Sequence, residues 1–396
     1  MLSERANSLK PSPTLAITAK EKALMAQGLD IAGFGAGEPD FDTPQHIKQA
    51  AIDAINEGFT KYTPVAGIDP LKDAIIEKFK RDNGLTYKRE EIIVSCGGKH
   101  GLYNLFQVLF QEGDEVIVPI PYWVSYPPMI ELADAKPVLI ETHEEEDYQV
   151  TGAMLKKYIT KKTKGIVLNY PSNPVGSVFS LENLGAIGKL AVENNLYIIS
   201  DEIYEKLAYD GYKHVSIASI DNAFKERTII THGVSKTYSM TGWRIGFAAG
   251  PKEIIQAMSN IQSQSTSNPT SISQRAAIAA LNGPQDFIGM MVGEFQKRRD
   301  YLVGELRSIQ GVTCYNPKGT FYVFPNFNKI LGKSYKGKAI ASSAALTELL
   351  LEEFHTAVVP GVEFGKEGYL RLSFATSMEV IKKGIERIKK AAEALE

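Results

Sequence analysis

Hydrophobic positions along this 396-residue chain switch repeatedly between a helical and a strand period. After Thr43-Pro44, which reads as an N-cap followed by a proline at the first helical position, Ile47, Ala51, Ala54 and Ile55 share one face, and Gly58 ends the run. Asp69-Pro70 repeats that start before Leu71, Ala74, Ile75 and Phe79, with Gly84 as the stop. Seven short apolar runs then alternate with helical stretches: Ile92–Val94, Val116–Val118, Pro137–Ile140, Ile166–Leu168, Tyr197–Ile199, Thr228–Ile230 and Ile245–Ala249. Several are nearly unbroken Ile, Val and Leu, the pattern of strands covered on both faces. Stretches such as Glu182–Glu193 are long enough for crossover helices. The pattern predicts an α/β fold with a mostly parallel sheet.

Beyond Asn282-Gly283-Pro284 the rhythm changes. A long helical stretch (Gln285–Ile309) precedes strand-like Phe321–Phe324, a helix near Ala344–Glu353, strands at Ala357–Val359 and Tyr369–Ser373, and a last helix from Met378. This predicts a smaller α+β domain over residues 285–396, joined by an N-terminal arm (1–45), beside a large domain over 46–284.

Composition narrows the classes. Lys plus Arg is 44 and Asp plus Glu 46, a net charge of −2 that argues against a nucleic-acid or anionic-membrane partner. At 44 % hydrophobic and 23 % charged residues the chain reads as globular rather than disordered. Its two cysteines, Cys96 and Cys314, cannot build a disulfide framework or a thiolate zinc site, and the six histidines show no metal-binding spacing, so no metal is expected. The first residues carry charges and prolines where a signal peptide needs an apolar stretch, and no run approaches ~18 apolar residues, so a cytoplasmic protein is expected.

Two glycine-rich segments fail as nucleotide loops. In Gly33-Phe34-Gly35-Ala36-Gly37-Glu38 the third glycine of a dinucleotide fingerprint is missing, and Gly361–Lys366 is one residue short of a Walker loop. Both read as turns. Ser95-Cys96-Gly97-Gly98-Lys99-His100 is better placed, following a strand and opening a helix, where backbone N–H groups can meet an anion; a plain tight turn fits equally well.

Three later motifs end strands: Asn169-Tyr170-Pro171-Ser172-Asn173-Pro174, Ser200-Asp201-Glu202-Ile203-Tyr204, and Ser235-Lys236-Thr237-Tyr238 running on to Trp243-Arg244. In an open parallel sheet these ends line the ligand crevice, so an Asn, an Asp, a Tyr, a Lys and an Arg could converge there. Singly, each has an ordinary reading as cap, turn or solvated charge. Asp201 is sharper, because a carboxylate directly after an apolar strand needs a partner.

Taken in order, with Ala36–Phe41, Lys61-Tyr62, Pro121–Tyr126 and Arg371-Leu372-Ser373, these motifs resemble the class I aminotransferases of fold type I, specifically the bacterial-type aspartate aminotransferase branch. The resemblance covers nearly the whole chain. It implies a pyridoxal 5′-phosphate (PLP) cofactor carried covalently by Lys236, which then moves the substrate proton. It also implies that Asp201 faces the pyridine nitrogen, that Asn173 and Tyr204 bond the ring hydroxyl, and that Trp123 stacks on the ring. Gly98, Lys99, Ser235, Arg244 and Tyr62 would hold the phosphate, Tyr62 coming from a second subunit, which makes a homodimer with composite sites. Gly233 stands where the family often has another serine. Arg371, beside the Gly37 backbone, would grip the substrate α-carboxylate.

Substrate range follows from the same resemblance. Met258–Gln274 contains no arginine that could hold a distal carboxylate, so Lys99 with Ser12 and Thr14 is expected to do so, and Lys10 could reach a larger dicarboxylate. The expected reaction is ping-pong transfer from L-aspartate to 2-oxoglutarate, giving oxaloacetate and L-glutamate. A prephenate, aromatic or alanine aminotransferase, or a β-lyase, is the alternative within the same chemistry.

Overall fold

The computed structural model describes residues 2–3, 6–7, 9–11 and 13–396. All seven expected runs are strands of one sheet. After the short β1 (Ala32–Gly33) come β2 (Ile92–Ser95), β3 (Glu115–Ile120), β4 (Lys136–Glu141), β5 (Thr163–Asn169), β6 (Tyr197–Asp201), β7 (Thr228–Gly233) and β8 (Gly246–Ala249). Their spatial order is β2-β8-β7-β6-β5-β3-β4, and only β8 runs antiparallel to its neighbours.

The unbroken apolar runs have their expected cause. Ile93, Val116, Val118, Val167, Ile199 and Ile229 pack on helices Gly98–Leu109, Tyr126–Leu132 and Lys252–Ser263. Their neighbours Ile92, Val94, Ile230 and Phe247 face helices Gln45–Asn56, Asp69–Asn83 and Ser271–Asn282. Ile117, Ile166, Leu168 and Ile198 face helices Gly152–Tyr158 and Leu181–Glu193 on that same side. Alternate residues therefore meet opposite helical layers, and both must be apolar.

A second core surrounds β9 (Tyr322–Val323), followed by a β10 (Ser334–Tyr335)–β11 (Lys338–Ala339) hairpin, β12 (Thr356–Ala357), β13 (Val359–Pro360) and β14 (Leu370–Ser373). Helices Asp286–Arg307, Ser343–Glu352 and Met378–Glu393 enclose it. β14 pairs antiparallel with both β9 and β13. The early segment joins it directly: β1 pairs in parallel with β12, and the Ser373 N–H donates to the Phe34 carbonyl.

Two local expectations change. Thr43 does not cap helix Gln45–Asn56; its hydroxyl donates to the Ser239 carbonyl and accepts from Trp243 Nε1, a tertiary use that outcompetes the cap, and Pro44 sits at the cap position. Helix Asp69–Asn83 starts with Asp69 inside its first turn, after Ile68, and closes at a left-handed Gly84 (φ 67°) as expected. No helix among the described residues is long and apolar enough to cross a membrane.

Candidate active site

Register brings distant motifs to one edge of the sheet. Asn169 at the end of β5 pairs with Asp201 at the end of β6, which pairs with Thr231 of β7. Because β8 is antiparallel, its first residue, Gly246, lies at that same edge, opposite both Gly233 and Ser95. Arg244 before β8 is thereby delivered beside the Gly97-Gly98 turn after β2. The fit is tight enough to require glycine: a Cβ on Gly97 (φ +90°) would lie 2.3 Å from an Arg244 nitrogen, and one on Gly246 would lie 2.2 Å from the Gly98 nitrogen.

The resulting cleft is lined by Thr14, Gly37, Gly98, Lys99, Trp123, Asn173, Asp201, Tyr204, Ser235, Lys236, Arg244 and Arg371, all candidates from the sequence. Tyr62 is elsewhere, its ring 92 % exposed on this chain's surface. Lys10 lines an adjoining cavity that shares Lys99 and Arg244 with the cleft. Ser12 lies outside the described residues.

Charges in the cleft are distributed unusually. Arg371 is only 2 % exposed, yet its guanidinium donates to the Gly35 carbonyl (2.9 Å) and the Asn173 amide oxygen (3.3 Å), while its Nε has no partner. It stacks on Tyr322, 4.4 Å from the ring centre, and on Phe364. Among the described residues Arg244 donates to the carbonyls of Thr241 and Cys96 alone. Neither arginine pairs with a carboxylate among the described residues. Lys99 sits 4.9 Å over the Trp123 ring, and burial, reinforced by Arg244, lowers its pKa. A buried guanidinium bonded only to neutral acceptors is poised for an anion.

Asp201 is the converse, a buried carboxylate with no ion-pair partner among the described residues, although the Lys236 amine lies near enough to act on it. Tyr126 donates to its Oδ2 (2.6 Å) and the Ile203 N–H to its Oδ1 (3.3 Å). Burial raises its pKa to about 6 in spite of these bonds. Between these groups lies Lys236, whose amine donates to the Gly37 carbonyl. Burial drives its pKa down to about 8, with Arg371 and Arg244 pushing the same way and Glu38 and Asp201 opposing.

Three residues with no role assigned from the sequence belong here. Tyr126 bonds Asp201; Tyr322 bonds the Tyr204 hydroxyl (3.3 Å) beneath Arg371; Glu38 accepts from the Thr241 hydroxyl (2.6 Å). Tyr126 and Glu38 stand inside motifs that carried the resemblance, and Tyr322 in an expected strand, but their contacts are tertiary and no local pattern announces them.

The arrangement suits a flat, cationic heteroaromatic ring with an anionic group at one end. The Gly97–Lys99 turn and Arg244 offer donors to the anion, Asp201 an acceptor to a ring N–H, and Lys236 an amine of lowered basicity. Fold and cleft together define an aminotransferase, and the family model for aminotransferase class I and II matches residues 30–388; the chain belongs to that family. Members of this family use PLP. The chain is 52 % identical to an aspartate aminotransferase of Bacillus sp. (strain YM-2) over 98 % of both chains. It is 50 % identical to a probable aspartate/prephenate aminotransferase of Rickettsia felis, covering 99 % of this chain and 96 % of that one. Among solved structures, the aspartate aminotransferase from Rhizobium meliloti superposes with a TM-score of 0.96 at 43 % identity, covering 100 % of both chains. That from Thermus thermophilus with maleate gives 0.93 at 44 %, covering 98 % and 99 %.

Proposed function

We propose that this chain transfers the amino group of L-aspartate to 2-oxoglutarate, using PLP, and works as a homodimer. The observation that carries the reading is the pairing of opposites in one cleft: two arginines and a carboxylate that ion-pair with nothing among the described residues, and between them a lysine of lowered pKa.

When bound, PLP supplies the electron sink that makes the substrate Cα–H acidic. Everything else falls to this chain's residues. Asp201 accepts the ring N–H and keeps that nitrogen cationic. Asn173 and Tyr204 bond the ring hydroxyl, and Trp123 covers one ring face. Gly98, Lys99, Ser235 and Arg244 enclose the phosphate, with Tyr62 of a second copy completing the cup; its exposure here leaves it free to reach across. Lys236 would hold the cofactor through its amine and, once freed, would carry the proton that leaves the substrate Cα. Arg371 forks onto the α-carboxylate, beside the Gly37 backbone. Lys99, with Ser12 and Thr14, takes the distal carboxylate; the Thermus thermophilus relative was solved with maleate, itself a dicarboxylate.

Prephenate is the second donor we consider, because the Rickettsia felis relative bears that name and Lys10 lines the cavity adjoining the cleft. We assign the large domain to residues 46–284 and the small one to 285–396 with the 1–45 arm, a division supported by the distinct hydrophobic cluster around β9 and β14, which Tyr204, Leu207 and Tyr209 join from the large domain. Two unpaired cysteines favour a reducing cytoplasm.

The test is a kcat/KM panel over aspartate, prephenate, phenylalanine and alanine, with borohydride trapping on Lys236. Aspartate should lead, and Lys236→Ala should lose both trapping and turnover. Trapping on another residue, or a different leading donor, would reject the assignment.

A further inference from the structure

Tyr126 stands at the first position of helix Tyr126–Leu132, its ring 2 % exposed, and it touches two parts of the cleft at once. Its phenol donates to Asp201 Oδ2 at 2.6 Å. Its ring meets Trp123 edge to face, with centroids 5.3 Å apart and planes at 82°. We propose that Tyr126 is a positioning residue, fixing the Asp201 carboxylate against the cofactor's ring nitrogen and bracing Trp123 over the ring face; this rests on the PLP reading above.

Asp201 has few other constraints. Its Oδ1 receives a longer bond from the Ile203 N–H, so the Tyr126 phenol is the short, charge-assisted contact that sets the carboxylate's rotation. The charged and titratable groups that act on Asp201 are Glu202, Lys236 and Tyr204, and no cation among the described residues ion-pairs with it. Burial and the nearby carboxylate push the phenol's own pKa far up, so Tyr126 remains a donor at any working pH. One phenol thus opposes the rise that burial imposes on the carboxyl pKa, and a protonated Asp201 would offer a ring N–H only a neutral oxygen.

The experiment uses the full chain with and without PLP. In apoprotein carrying carboxyl-labelled aspartate, the Asp201 signal is assigned by its loss in Asp201→Asn. Tyr126→Phe should raise the Asp201 titration midpoint by about 1–2 pH units. Tyr126→3-fluorotyrosine keeps the shape, donates more strongly, and should lower it, so the test stands even where the phenylalanine variant folds poorly. In holoprotein, Tyr126→Phe should lower kcat and shift the absorbance titration while borohydride still traps Lys236. An Asp201 midpoint unmoved by the fluorotyrosine overturns the inference. Wild-type protein that takes up no PLP overturns the functional reading instead and leaves the apoprotein result standing.

Discussion

At pH 7 an ordinary lysine with a pKa near 10.5 presents about 0.03 % of its amines uncharged, too few to capture an aldehyde quickly. Lys236, held near 8, presents about 9 %, a roughly 300-fold gain supplied by its surroundings. Burial is the largest cause, so most of the gain should survive any single charge substitution. The rate at which apoprotein captures PLP should therefore climb tenfold per pH unit up to about pH 8 and flatten above it. Arg371→Met removes a repelling cation and should move that midpoint upward by a fraction of a unit; Glu38→Gln removes an attracting carboxylate and should move it down. Rapid mixing at a series of pH values, quenched with borohydride and read as labelled Lys236 peptide, measures this. A midpoint near 10, or two substitutions that shift it in the same direction, would refute the electrostatic account.

Other expectations concern neighbouring groups. Asp201 binds its proton more tightly in the folded chain than in the unfolded one, so apoprotein stability falls as pH rises from about 4 to about 6 and stays lower above. Asp201→Asn apoprotein should then exceed wild type at pH 7.5 by up to about 3 kcal/mol, an advantage that closes below pH 4 in urea melts; a variant less stable at pH 7.5 contradicts this. Lys99→Ala should reduce kcat/KM for aspartate by about 10–100-fold and for alanine far less, since only aspartate offers the second carboxylate; equal losses would confine Lys99 to the phosphate. Gly97→Ala forces a side chain into a left-handed backbone and against Arg244, and should weaken PLP binding at least about tenfold by equilibrium titration. Unchanged affinity would mean that the turn does not hold the phosphate.

What the sequence disclosed tracks how local each signal is. The strands β2, β3 and β5 to β8 announced themselves because each is covered on both faces and reads as an apolar run; β4, at the sheet edge and largely exposed, still carried the apolar Pro137–Ile140 run. β1 did not, since two residues paired with Thr356-Ala357 across more than three hundred positions leave no periodicity. The hairpin β10–β11 is equally short. Thr43 misled for a related reason: the hydroxyl that suits an N-cap was recruited by Trp243 and Ser239. In the cleft, the chemistry-bearing residues were legible because strand ends in a parallel sheet converge. Tyr126 and Tyr322 were not, because a phenol's partner depends on the third dimension. The antiparallel β8 had no signature either, although its direction is what returns Arg244 to the Gly97-Gly98 turn.

The hydrogen bonds the cleft makes with itself have a bearing on discrimination. The Lys236 amine already rests on the Gly37 carbonyl, and Arg371 on Gly35 and Asn173. A ligand that displaces those contacts must offer the donors a better acceptor than a neutral oxygen, while the unpartnered Arg371 Nε can be met directly. Molecules lacking a full negative charge at that spot would trade one weak bond for another, and the pocket would turn them away without any steric barrier.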